Sequence, residues 1–156
     1  MLQNTESLLN NYKKFIKKVV QTNTIYCLKD KKEGVAVCSS TEFRNVEGQD
    51  VPLLTFWSEQ ALAKACQAEE WAKYEITEIP LSEFMELWIF GMCEDEVVAG
   101  LDFNANLFGY EEHPLQLLKD LIAEIEATKK IIEFRSFTSL TDLKDYIQEI
   151  EEGDEE

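Results

Sequence analysis

His113 is the only imidazole in the chain, and Cys27, Cys38, Cys66 and Cys93 are its only thiols. Nucleophilic catalysis of the common kind needs a base beside Ser or Cys, and a structural zinc set needs four ligands at close spacing. The cysteines stand singly, with no C-x-x-C pair, and one histidine does not complete a zinc set with them. They read as small buried thiols, with Cys27 and Cys38 placed to face each other across a hairpin. His113 directly precedes Pro114 and reads as an exposed residue at a helix entrance. Carboxylates are plentiful, so paired-acid chemistry is not excluded by inventory. Yet Glu69-Glu70, Glu94-Asp95-Glu96 and Glu111-Glu112 fall in turns or at helix ends, where solvated acids are expected. Asp102, Asn104 and Asn106 alternate their oxygens as a calcium loop does, but the loop glycine and the downstream bidentate Glu are missing. There is no G-x-x-x-x-G-K-[ST], G-x-G-x-x-G or H-E-x-x-H, and the six glycines are too scattered to cradle a phosphate. No catalytic residue, metal set or cofactor is expected, and an enzyme is the less favoured reading.

Charge constrains partners more than it constrains chemistry. The formal net charge is −16, yet residues 1–32 carry a net of +5 and the rest a net of −21. An acidic body repels phosphate backbones, which disfavours nucleic-acid binding through it and suits a basic protein partner. No run of residues approaches the ~18 apolar positions of a membrane span. The polar N-terminus lacks the apolar core of a signal peptide, so a cytoplasmic location is expected.

Such residues must be positioned by a scaffold, and the scaffold signal peaks between Pro52 and Trp88, which holds all three tryptophans. Before it, Leu8, Leu9, Tyr12, Phe15, Ile16, Val19 and Val20 repeat at helical spacing after a cap at Asn4 or Thr5. Lys13, Lys14, Lys17 and Lys18 form that helix's other face. Thr24 to Ser40 reads as a hairpin turning at Gly34. Val51 to Trp57 reads as a strand, and Ser58 as the N-cap of a helix burying Ala61, Leu62, Ala65 and Cys66. Residues 74–80 form a further strand. Pro80 opens a helix with Phe84, Met85, Leu87 and Trp88 inward and Gly91 as its C-terminal cap. A strand over 96–103 and a turn-rich 104–110, which lets the chain return as an edge strand through Leu107 and Phe108, lead to a helix from Pro114. Residues 128–137 read either as a strand or as an extension of that helix. Ser139 and Asp142 make a capping-box pattern for a last helix with Leu140, Leu143, Ile147 and Ile150 on one side, then a frayed acidic tail.

This order predicts an α+β fold: one domain, a mixed and mostly antiparallel sheet of about 5–6 strands with helices packed on it. The predicted partition is an α+β domain over 1–130 and a C-terminal helical extension with an acidic tail over 131–156. The tryptophans read as core. Trp71, beside Glu69, Glu70 and Lys73 at a helix end, is the candidate interface anchor, together with Glu69 and Glu70.

The chain also has an N-terminal helix containing Phe15-Ile16-Lys17-Lys18-Val19 and a proline-led strand from Pro52 to Trp57. A helix follows that ends at Trp71, then the helix start Ile79-Pro80-Leu81-Ser82-Glu83-Phe84, then Leu87-Trp88 and the strand Val97-Val98-Ala99-Gly100. In these features, over roughly residues 12–126, it resembles a small bacterial family catalogued only as domain of unknown function number 2750. That resemblance implies no activity and no functional residue. The favoured function is a non-enzymatic protein-binding module, immunity-like in one version, that docks a basic partner. The alternatives are a small-ligand-binding protein or carboxylate-dependent enzyme with its site near residues 52–88, and a homodimeric adaptor pairing through the last helix.

Overall fold

The buried stripe of the first helix sets the centre of the molecule. The structure, a computed structural model, describes residues 5–155. Of the two residues expected to cap the first helix, Asn4 lies outside the described residues and Thr5 is the first residue of the helix. Helix α1 (Thr5–Thr22) buries Tyr12, Phe15, Ile16, Val19 and Val20. Leu9, at the end of the stripe, is largely exposed.

Four strands follow: β1 (Thr24–Asp30), β2 (Gly34–Val35), β3 (Val37–Arg44) and β4 (Asp50–Phe56). The first turn is fixed by Asp30, whose carboxylate accepts from the N–H groups of Lys32 and Glu33, both at 3.0 Å. Gly34 completes it at φ +81°, a conformation that favours glycine. The hairpin then divides. Ala36 N–H still donates to Leu28 C=O at 2.9 Å, but Ala36 C=O accepts from Thr55 N–H on β4. From there β3 pairs with β4 instead of β1. A second crossing ties the same corner, because Tyr26 and Trp57 exchange two backbone hydrogen bonds of 2.8 Å.

The single mixed sheet expected from the sequence is thus two sheets sharing a corner. One is antiparallel, in the order β2-β1-β5, with β5 spanning Glu75–Pro80. The other runs β3-β4-β6-β7, with β6 (Val98–Leu101) parallel to β4 and β7 (Tyr110–Glu112) antiparallel to β6. Cys27 lies opposite Thr77 in the first sheet and Cys38 opposite Leu53 in the second, so the two do not face each other. Among the described residues none of the four cysteines forms a disulfide. The second sheet curls strongly. Glu111 on β7 reaches the bulged part of β3, where its carboxylate accepts from Ser40 Oγ, from Thr41 N–H (3.1 Å) and Oγ1 (2.8 Å), and from Glu42 N–H (3.3 Å).

Helices α1, α4 (Ile89–Glu94), α5 (Pro114–Ala127) and α6 (Leu140–Glu155) bury a common core with residues of β1, β4, β5 and β6. A shorter helix, α2 (Gln60–Ala65), and a 3₁₀ turn over Glu69–Trp71 close a second cluster around Trp57 and Trp71. Between β5 and β6 the chain turns from α3 (Leu81–Glu83) through a π-helical segment (Phe84–Trp88) into α4. Gly91 lies inside α4 and does not cap it. Leu81, Phe84, Met85, Ile89 and Met92 face inward at helical spacing. Leu87 falls outside that stripe and is exposed. Glu86, by contrast, is buried, because residues 128–139 cross over it and Ser136 N–H donates to its Oε1 at 2.6 Å.

Residues 128–139 form neither a strand nor a helical extension. They are an irregular strap whose Phe137 packs with Phe90 and Tyr146, with Phe134 set edge-on to Phe137. The capping pattern before α6 is realised with a shift. Ser139 Oγ accepts from Asp142 N–H, while the Asp142 carboxylate reaches back to Thr138 N–H and Oγ1. Leu143 and Ile147 are buried in the chain's own main core, so the seam read from their spacing faces inward. The acidic end continues as helix to Glu155. No helix among the described residues is long and apolar enough to cross a membrane.

Candidate functional site

Among the described residues β4 and β6 are the only parallel neighbours in the pairing, and they end side by side at Phe56 and Leu101. In open parallel α/β sheets ligands bind in the crevice outside the carboxyl ends of the strands, and the β4–β6 pair has an end of that type within a mostly antiparallel sheet. β4 runs out into Trp57, Ser58 and Glu59, and β6 into Asp102, Phe103 and Asn104.

The two ends are clamped together by one carboxylate. Asp102 Oδ1 accepts from Ser58 N–H at 2.8 Å and Oδ2 accepts from Ser58 Oγ at 2.8 Å. The Asp102 N–H in turn donates to Phe56 C=O at 2.9 Å. To hold this position Asp102 sits at φ +52°, a left-handed conformation that Asp tolerates better than most residues. Behind it, Trp57 Nε1 donates to Phe103 C=O at 2.9 Å and Cys66 Sγ contacts the same carbonyl at 3.3 Å. Ser58 therefore does not cap α2 with its side chain, and Glu59 takes the N-cap position. The helix buries Ala63 and Cys66, leaving Ala61 and Ala65 exposed and Leu62 at 38% exposure.

In front of the clamp is a cavity of about 450 Å³ lined by Ser58, Glu59, Leu62, Asp102 and Asn104 from the strand ends, and by Asn11, Lys14 and Lys18 from α1. Its α1 wall carries two cations and its strand-end wall two carboxylates. One ion pair joins them, Lys18 to Glu59 at 3.5 Å, with both side chains about half exposed. An exposed pair of this kind is worth about 0–1 kcal/mol and opens easily. Burial pushes the Asp102 carboxyl above the usual carboxylate range, and the nearby Glu59 charge pushes the same way; only the Ser58 donors oppose them.

A second group of ionisable side chains stands where α1 meets β7 and α5. Tyr12 donates to Asp120 Oδ2 at 2.5 Å and stacks on Tyr110 with ring centres 4.2 Å apart. Burial raises the Tyr12 hydroxyl well above its ordinary value, and the Asp120 contact adds to it. Glu112 is also raised, first by burial. Tyr12 and Asp120 bond each other at this junction, and with Lys13 and Lys17 they line a cavity of about 490 Å³ between α1 and α5.

A carboxyl held above its ordinary value in the folded chain binds its proton more tightly folded than unfolded, so stability falls as pH rises through that window. Asp102 and Glu112 both contribute this sign. Between pH 4 and pH 7, urea midpoints of Asp102→Asn and Glu112→Gln are expected to decline less steeply than those of the parent chain. Parallel pH profiles for parent and variants would contradict this.

The residues singled out in the sequence are dispersed. Trp71 is only 6% exposed, its ring set edge-on to Trp57 with centres 6.4 Å apart. The sequence suggested a partly exposed ring at a helix end, but the 3₁₀ turn folds it into the second cluster. Glu69 and Glu70 remain at the surface, and Glu70 lines a cleft of about 660 Å³ with Lys29, Lys31, Lys32 and Lys73. His113 is exposed and caps α5, its Nδ1 accepting from Leu115 N–H at 3.1 Å. Burial holds the Cys27 and Cys38 thiols up at about 11, and raises Cys66 as well, so at neutral pH they carry protons. Asn104 spends its side-chain oxygen on the N–H groups of Asn106 and Phe108 in a local turn. Among the described residues no group of three or more His, Cys, Asp or Glu could hold a metal ion.

Sequence reasoning missed the pairing of Ser58 with Asp102, which lie 44 residues apart. The available signal was a polar residue directly after each of two apolar strands, and it becomes a site only once those strands are known to be parallel neighbours. No curated protein and no solved structure matches the chain. The family described as "Protein of unknown function (DUF2750)" does, over residues 12–121, a span that includes Lys14, Lys18, Ser58 and Asp102; the chain belongs to that family.

Proposed function

We propose that this domain binds a small polar molecule in the cleft at the ends of β4 and β6. One observation carries the reading: Ser58, Glu59 and Asp102 converge with Lys14 and Lys18 on a cavity of about 450 Å³. That size falls within the ~300–1,000 Å³ of small-molecule sites, and the positive-φ aspartate is backbone strain of the kind that collects at such sites. Binding fits better than catalysis. Ser58 donates to a carboxyl that is itself drawn towards its protonated form, a poor base for a hydroxyl. In an amide-shift titration with a polar fragment library, saturable shifts are expected to cluster at Ser58–Leu62 and Asp102–Asn104. Hits confined to other surfaces would reject the reading.

A second reading, a module that docks a basic protein, draws on charge. On α6 the exposed Asp142, Asp145, Glu149 and Glu152 lie on one face, within a chain of net charge −16. Docking of this sort must weaken as salt rises. A partner retained equally at low and high ionic strength would count against it.

A further inference from the structure

We propose that the strand-end cleft takes a zwitterion, a molecule carrying both an ammonium group and a carboxylate, with the ammonium against Asp102 and Glu59 and the carboxylate against Lys14 and Lys18. This rests on the cleft being a ligand site and goes on to name the ligand's class. The cleft walls are opposite in sign and come from different parts of the chain: α1 supplies the lysines, and the β4 and β6 ends supply the acids. Lys14 makes no ion pair among the described residues, so its charge is available to a ligand. Among the described residues the Asp102 carboxylate receives hydrogen bonds only from Ser58, and the charge that acts on it is that of the Glu59 carboxylate. A desolvated carboxyl in that position gains most from a cation.

The long-range field selects against the simpler ligands. A plain anion attracted to Lys14 and Lys18 must approach a chain of net charge −16. A plain cation is drawn to the whole acidic surface but meets two lysines at this mouth. A zwitterion feels little net force from the overall charge, and each of its ends matches one wall. Its ammonium and carboxylate also replace the weak Lys18–Glu59 contact that spans the mouth.

Three probes of one chain length separate the charges: 5-aminovalerate, valerate and pentylamine, titrated into the full chain at pH 7 and read by amide shifts at Ser58–Leu62 and Asp102–Asn104. 5-Aminovalerate is expected to bind at least about tenfold more tightly than either single-charge analogue, the factor that corresponds to ~1.4 kcal/mol. Lys14→Ala is expected to weaken 5-aminovalerate and valerate but not pentylamine. Asp102→Asn, which keeps an acceptor for Ser58, is expected to weaken 5-aminovalerate and pentylamine but not valerate. Valerate or pentylamine binding as tightly as 5-aminovalerate overturns the zwitterion class while leaving the cleft a ligand site. Silence from all three probes alongside fragment shifts at the cleft does the same. Silence from all three probes and from the fragment library overturns both readings.

Discussion

Alanine in place of Trp57 is expected to lower the free energy of unfolding by about 3–5 kcal/mol, the range for deleting a large aromatic from a packed core. The indole is fully buried, so the substitution leaves a cavity on the Trp71 side. It also removes the 2.9 Å hydrogen bond to Phe103 C=O, which holds the segment after β6 in place. The backbone exchange with Tyr26 survives, because it uses main-chain atoms. Trp57→Phe keeps most of the ring volume and is expected to lose less. Urea denaturation followed by far-ultraviolet circular dichroism measures both, and a loss below about 1 kcal/mol for Trp57→Ala would show that the tryptophan pair is not part of the cooperative core.

Asp102→Ala is expected to rank next, at about 2–4 kcal/mol. Removing the carboxylate leaves the Ser58 N–H and hydroxyl without their acceptor in a buried setting, and each orphaned group costs about 1–3 kcal/mol. Alanine must also adopt φ +52°, where a Cβ without a local hydrogen bond costs about 1–2 kcal/mol. Against these stands relief from burying a carboxyl with no cation beside it, so the net falls below the simple sum. Two comparisons separate the contributions. Asp102→Asn keeps an acceptor and should lose least. Asp102→Gly removes the conformational cost but not the orphaned donors, and should fall between. An alanine variant no less stable than the asparagine one would mean that the clamp contributes nothing to folding.

The elements legible in the sequence are those specified by neighbours along the chain. Tyr12, Phe15, Ile16, Val19 and Val20 could be read as one stripe because helical spacing is local, and all five are buried. Pro80 gave the next helix start for the same reason, since its fixed φ and missing N–H act on adjacent residues. The division of the hairpin at Ala36 was not legible: it depends on β4 competing with β1 for the same strand, and β4 lies beyond a loop. The burial phase of α2 is not legible because six residues give less than two turns, too short for periodicity to fix a face. The sequence places Leu62 inward, yet it stands at the cleft mouth, and Ala63 is the buried residue. The candidate site suffered most from this locality. In the sequence Lys14 and Lys18 belong to a basic helix face, Ser58 to a helix cap and Asp102 to a calcium-like alternation. Their convergence is a property of strand pairing and of how α1 lies across the sheet.

The carboxylate of Glu111 has a further consequence, for solubility. An edge strand with free N–H groups is a template on which another chain can add a strand. Within the bulge of β3 the N–H groups of Thr41 and Glu42 lie at such an edge, and a side chain from the far end of the same sheet occupies both. The curl that brings β7 to β3 thus turns two open margins towards each other, and a charged group seals the gap between them. At this margin the fold refuses intermolecular strand addition by its own closure, in the way a barrel does.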